Sequence, residues 1–177
     1  MRHTTLIRCC ELICKEEGLL VLADVGALGG LKAPWKGVAP YVQALTFEPQ
    51  KDKGNENQML ALSYTKGEAT FYITKRPDSS SLLRPNTALL SRYGGAHRYE
   101  IVREEKVATT TLDLWCAGHD ISKIDFLKID VQGAEMAVLK GARHMLPTIF
   151  GAEIEVNFIE RYKGGEIFEN VHAFMSK

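Results

Sequence analysis

Apolar and polar positions follow two different periods along this chain, and the switches between them mark out strands and helices. Ile124 to Ile129 is a short, largely apolar run that ends at Asp130; such runs are typical of strands buried on both faces. A turn containing Gly133 follows. Ala134 to Leu146 then carries Met136, Leu139, Ala142 and Met145 or Leu146 at helical spacing, which predicts a helix with those side chains inward. Asp130 is thereby expected at the carboxyl tip of a buried parallel strand, where open α/β sheets bind their ligands. Leu19 to Ala23 repeats the layout: a short apolar strand ends at Asp24 and runs into the glycine-rich turn Gly26 to Gly30. Two corners of this kind suggest one cofactor crevice.

The remaining periodicity fills in the order of elements. Thr4 to Glu17 reads as a helix with Leu6, Cys9, Cys10 and Ile13 on one face and Gly18 as its C-cap. Pro34, Gly37 and Pro40 leave room only for a short helix starting near Pro34. Tyr41 to Phe47 reads as a second strand closing on Glu48-Pro49, and Gln50 to Gln58 as a polar loop. Met59 to Tyr64 and Ala69 to Thr74 look like two strands around a Lys66-Gly67 turn. Pro77 to Gly95 has no period and is rich in Ser, Pro, Asn and Gly; long connections of this kind often serve as functional lids. Tyr99 to Ala108 reads as a strand, followed by a helix that Thr109, Thr110 or Thr111 caps. Phe150 to Phe158 is a further strand, and Gly164-Gly165 breaks the chain before a helix from Glu166. Strands alternating with helices imply a mainly parallel sheet with right-handed crossovers.

Composition narrows the function classes. The 177 residues suit one domain, and 45% hydrophobic with 25% charged content is ordinary for a soluble protein. Lys+Arg and Asp+Glu number 22 each, so the global basic signature of a nucleic-acid binder is missing. No apolar run approaches the roughly 18 residues of a membrane span. Glu11, Glu16 and Glu17 interrupt the first apolar stretch, so no signal peptide is expected. Cys9, Cys10, Cys14 and Cys116 have no His pair at zinc-finger spacing and read as buried, reduced thiols, which fits a cytoplasmic location. His3, His97, His119, His144 and His172 form no metal spacing, so no metal is expected.

Several residues carry candidate chemistry, each beside a plainer reading. The glycines after Asp24 either form a tight turn or let the backbone approach a ligand closely. Their spacing departs from the Gly-x-Gly-x-x-Gly dinucleotide fingerprint, and no Gly-Lys-Ser/Thr follows as in a phosphate-binding loop. Glu48 is either a solvated charge at a strand end or an acceptor for ribose hydroxyls. Asp130 suits cofactor binding, a substrate hydroxyl, general-base duty, or simply a helix N-cap. Glu135, in the first turn of that helix, reads as a partner of the helix dipole. Glu153 and Glu155 share a strand face, so either the pair opens into the site or the strand is an edge with a wet face.

Taken together, these residues resemble the FkbM family of S-adenosylmethionine-dependent methyltransferases. The likeness runs through Ala23-Asp-Val-Gly-Ala27, Phe47-Glu-Pro49, Ala61-Leu62 and Gly67-x-Ala-Thr-Phe-Tyr72. It continues through Ser79-Ser-Ser-Leu-Leu83, Thr111-Leu-Asp113, Asp125 to Gly141, and Gly151 to Phe158 with Tyr162 and Phe168. The resemblance covers roughly residues 20 to 174, dividing the chain into an N-terminal helix, 1–18, and a methyltransferase domain, 19–177. It implies a class I, Rossmann-like α/β fold, a mainly parallel sheet with helices on both faces. Gln132 stands where the family often has Glu, Leu28 replaces a polar residue of the glycine turn, and Ser63 stands where an Asp commonly contacts adenine. The chain stops soon after Phe174, where the family usually continues into another strand, so a C-terminally truncated sheet is also consistent with it.

The resemblance implies O-methylation of a sugar or natural-product hydroxyl with S-adenosyl-L-methionine as donor; a non-catalytic or truncated binding module is the alternative. Asp24, Gly26 and Gly30 would frame the methionine end, Glu48 would hold the ribose, and Ala61 and Leu62 would flank the adenine. Asp130 would sit where donor and acceptor meet, as first candidate for general base, with Glu155 or Glu153 second. The Pro77 to Gly95 loop would form part of the acceptor wall.

Overall fold

The computed structural model describes residues 2–51 and 58–177. Four parallel strands form the main sheet in the order β2-β1-β6-β7: β1 is Leu20–Val25, β2 Val42–Phe47, β6 Phe126–Ile129 and β7 Gly151–Ile154. β1 lies in the middle and is buried along nearly its whole length, as its largely apolar run, broken only by Asp24, requires. Asp125 ties the strand starts together, accepting a hydrogen bond from the Val21 amide at 2.7 Å.

Helices cover both faces. On one side Val21, Ala23 and Val25 of β1, with Phe47, Leu127 and Ile129, meet Leu112 and Trp115 of α3 (Leu112–Gly118) and Met136 and Leu139 of α4 (Glu135–Lys140). Val171 of α5 (Phe168–Met175) closes this core. Leu127 and Leu139 are fully buried, and each contributes about 1.5–3 kcal/mol by leaving water. On the other side Leu22 and Val42 pack against Cys10 of α1 (Arg2–Glu17) and Val38 of a short 3₁₀ helix, Trp35–Tyr41. Tyr41 donates its hydroxyl to Glu11 at 2.8 Å, fastening α1 to that turn.

A second, smaller sheet has the order β3-β5-β4, with β3 Ala61–Leu62, β4 Gly67–Thr74 and β5 Ile101–Thr110. The two segments flanking Lys66-Gly67 are therefore not partners. β5 lies between them, antiparallel to β4 and parallel to β3, a long-range pairing that local turn signals do not reveal. Thr111 caps α3, its hydroxyl accepting from the Leu114 amide at 3.0 Å.

Other sequence boundaries shift for identifiable reasons. The buried side of α1 is turned from the expected face: Cys10 is buried, whereas Cys9 and Ile13 are exposed. All four cysteines are free, and burial pushes the Cys116 thiol up to about 11. The helix expected to reach Leu146 ends at Lys140, because Asp113 captures the His144 and Met145 amides, each at 3.0 Å, and folds the chain into turns. The final strand is shorter than its apolar run, ending at Ile154. Pro77 to Gly95 is partly structured, with a 3₁₀ turn at Pro77–Ser79 and α2 at Thr87–Leu90 capped by Asn86. Of the loop expected at Gln50 to Gln58, positions 52–57 lie outside the described residues. Among the described residues no helix is long and apolar enough to cross a membrane.

Candidate active site

The parallel register decides which residues can meet. Val25 pairs with Phe47 on one side and Ile129 on the other, and Ile129 pairs with Ile154. Those four residues form the last row of the sheet. The next residue out from each tip is Gly26, Glu48, Asp130 and Glu155, so one glycine and three carboxylates share one edge. Three of these four stand at the crevice between β1 and its neighbours, the switch point where sheets of this class bind ligands.

Gly26 makes the corner possible. Its φ is +86°, and a Cβ there would lie 1.9 Å from the Asp130 carbonyl oxygen. Its amide and that of Ala27 both donate to the Phe47 carbonyl, at 2.9 and 3.2 Å. On the other side the Asp130 amide donates to the Val25 carbonyl at 2.9 Å. The first turn is thus clamped to both neighbouring strand tips.

Two adjoining hollows open at this edge and share Gly26, Glu48, Ser80 and Asp130 in their walls. One, of about 380 Å³ of solvent-open space, is apolar, with Leu60, Ala61, Leu62, Phe71 and Leu82 around it. The other, of about 300 Å³, is polar, lined by Lys32, Gln50, Asp78 and Gln132 together with Leu28. The segment after Pro77 forms the outer wall, pinned by Ser80, whose hydroxyl accepts from the Thr74 amide at 3.1 Å.

Glu48 is buried, and its Oε1 accepts the Gln50 amide at 2.8 Å. Asp130 and Glu155 are joined through Gln132, whose side-chain amide donates to Asp130 Oδ1 at 2.7 Å and to Glu155 Oε2 at 2.6 Å. Tyr162 has one hydroxyl proton, shared between the Ser79 carbonyl at 2.8 Å and Gln132 Oε1 at 3.0 Å. Burial, reinforced by the neighbouring Asp130 charge, pushes the Glu155 carboxyl up to about 8. That environment favours the protonated form of Glu155 over its carboxylate. Glu135 is also raised by burial; its carboxylate accepts the Val131 and Gly133 amides at 3.2 and 3.0 Å and braces the turn beneath Gln132.

Of the residues singled out from sequence, the structure brings Gly26, Glu48, Ala61, Leu62 and Asp130 to the crevice, with Glu155 beside Asp130. Asp24 lies two rows deeper, level with Thr46 and Lys128. Its side chain turns to the α1 face of the sheet, where Oδ1 pairs with the buried Lys128 ammonium at 2.7 Å. Gly30 shapes the turn, its amide donating to the Ala27 carbonyl at 2.8 Å, and does not line the crevice. Glu153 is separated from Glu155: it borders an apolar groove with Ile13, Phe126 and Phe150. β7 is an edge of the sheet with an exposed side, the wet-edge alternative for this strand. Sequence reasoning included Ser80 and Leu82 only as part of the Pro77 to Gly95 wall, missed Tyr162 as a site residue and treated Gln132 only as a lost charge. The Ser79-Ser-Ser run and the glycine pair after Tyr162 were the signals available.

A parallel sheet flanked by helices, with a half-apolar, half-acidic crevice at the tips of its central strands, defines a Rossmann-like α/β domain of the methyltransferase type. The methyltransferase FkbM domain matches residues 24–177, and the chain belongs to that family. No curated protein and no solved structure matches the chain.

Proposed function

We propose that this protein binds S-adenosylmethionine in the crevice and methylates a hydroxyl of a sugar or natural product. The observation that carries this reading is the single row formed by Gly26, Glu48, Asp130 and Glu155. The lining suits a nucleoside that bears positive charge. Leu60, Ala61, Leu62 and Phe71 offer an apolar slot for a base, and the Glu48 carboxylate can accept from ribose hydroxyls. Around the polar half, the carboxylates of Glu48, Asp78 and Asp130 outnumber the single Lys32 ammonium and favour a cation over a pyrophosphate. This weighs against a nicotinamide dinucleotide, in line with the glycine spacing.

The bound donor supplies an electrophilic methyl group on a sulfonium, so the protein's share is alignment and proton handling. Asp130 and Glu155 supply a place for the hydroxyl proton at the crevice edge. Proton acceptance by a positioned carboxylate is worth about 10²–10⁴-fold. Ser80 and the segment behind it form one wall of the site. A cytoplasmic setting, suggested by four free thiols, belongs to the same proposal.

Calorimetry with S-adenosylmethionine and with NAD tests the donor, and radiolabelled methyl transfer to a panel of glycans and hydroxylated natural products tests the reaction. Donor binding with turnover supports the proposal. Binding without turnover on the panel favours a module that holds the donor, and preference for NAD overturns the assignment.

A further inference from the structure

We propose that Gln132 is a positioning residue whose amide ties Asp130 and Glu155 into one proton-accepting unit, with Tyr162 setting the direction in which that amide faces. The inference rests on the methyl-transfer reading for its purpose, and on the hydrogen-bond pattern for its existence.

A glutamine amide has two N–H donors on one end and an acceptor oxygen on the other. Here both donors are committed, one to each carboxylate, at 2.7 and 2.6 Å. The oxygen receives the Tyr162 hydroxyl, which is itself almost fully buried and shared with the Ser79 carbonyl. Turning the amide over would set its oxygen against two carboxylates.

The backbone underlines the point. Gln132 has φ of +58°, a left-handed conformation uncommon for a residue with a side chain. Gly133 follows at φ +97°, and a Cβ there would sit 2.9 Å from the Tyr162 ring. Glu135 clamps the amides on either side of Gln132. Glycine or asparagine would relax this position, so the glutamine here holds its side chain in place at the cost of backbone strain.

Two N–H donors aimed at two carboxylates stabilise their ionised forms. They also add no charge. A lysine here would suppress the pair's proton affinity, and a third carboxylate would deepen the repulsion; the amide does neither. The other ionisable groups facing the pair are Glu135 from α4 and Arg161, Tyr162 and Tyr99 behind Glu155. Across the crevice stand Glu48, Asp78 and Lys32.

The test is a titration of Glu155 by carbonyl NMR in the ¹³C-labelled full chain, for wild type, Gln132→Gly and Gln132→Glu. The glycine variant suits the left-handed backbone and retains the fold. Its Glu155 midpoint should rise by about one pH unit, leaving about tenfold less of the ionised form at neutral pH. Gln132→Glu, which removes the donors and adds a like charge, should raise it further. The pH profile of kcat should move with the titration, with losses largest at low pH and shrinking toward high pH. An unchanged midpoint in Gln132→Gly, or a wild-type midpoint in Gln132→Glu, overturns the proposal. A shifted midpoint in a protein that methylates nothing would sink the functional reading and leave the bridge standing.

Discussion

Replacing Gly26 by alanine, with Gly29→Ala as its control, separates two physical costs that usually arrive together. Both glycines sit at nearly the same left-handed φ, +86° and +84°. At Gly29 a Cβ has nothing within 4 Å, so only backbone strain applies, about 1–2 kcal/mol. At Gly26 the same Cβ would lie 1.9 Å from the Asp130 carbonyl oxygen and 2.8 Å from its carbon. Ordinary contact then requires the β6 tip to retreat by more than an ångström. Overpacking of this kind adds about 1–3 kcal/mol, for a total of about 2–5 kcal/mol. At about 2–4 °C per kcal/mol for a chain of this size, Gly29→Ala should lower Tm by a few degrees and Gly26→Ala by distinctly more. The displaced residue is Asp130, so Gly26→Ala should also reduce methyl transfer by about 10²-fold, whereas Gly29→Ala should stay within a few-fold of wild type. Thermal unfolding followed by circular dichroism, alongside the transfer assay, reads both. Equal losses in the two variants would refute the close approach of the β1 and β6 tips on which the crevice depends.

Other expectations follow from individual side chains. Glu155 is raised from 4.5 to about 8 in the folded protein, so its own contribution to stability is full below the unfolded value and is lost as pH rises toward 8. Glu155→Gln should remove that slope between about pH 5 and pH 8 in urea titrations, and should erase an alkaline-rising limb near pH 8 in the rate profile. Lys128→Met leaves the Asp24 carboxylate buried without its cation, at a cost of about 3–5 kcal/mol in denaturant unfolding, and adding Asp24→Asn should restore most of it. Glu48→Gln should weaken S-adenosylmethionine binding by about 10- to 100-fold in calorimetry, from the loss of charge-assisted hydrogen bonds, with little change in Tm. Undiminished affinity would remove Glu48 from the ribose role.

The strand tips were legible because short apolar runs ending in Asp or Glu leave few choices: buried parallel strands need such runs, and their polar terminal residues fall at the carboxyl edge. Glu48, Asp130 and the Gly26 corner follow from that alone. The direction of a side chain is harder to read. Asp24 also ends an apolar run, yet β1 extends to Val25. That one-residue difference turns its carboxylate to the opposite face and into the grip of Lys128. Glu153 and Glu155 alternate as expected in sequence, but the strand ends between them, so their surroundings diverge. The partnership of β5 with both β3 and β4 spans long stretches of chain and has no local signature. Tyr162 belongs to the site only because Gly133 yields space for its ring, a packing relation that no spacing rule contains.

The placement of the crevice between two separate sheets has a consequence for how the molecule breathes. Glu48 and Asp130 hang from the four-stranded sheet, while Ala61, Leu62 and Phe71 belong to the three-stranded one. A nucleoside gripped by both would act as a staple between the two sheets, adding to the contact that Leu62 already makes with the main core. Native-state hydrogen exchange would then slow most in the smaller sheet when ligand is added, although most of the polar grip comes from the larger.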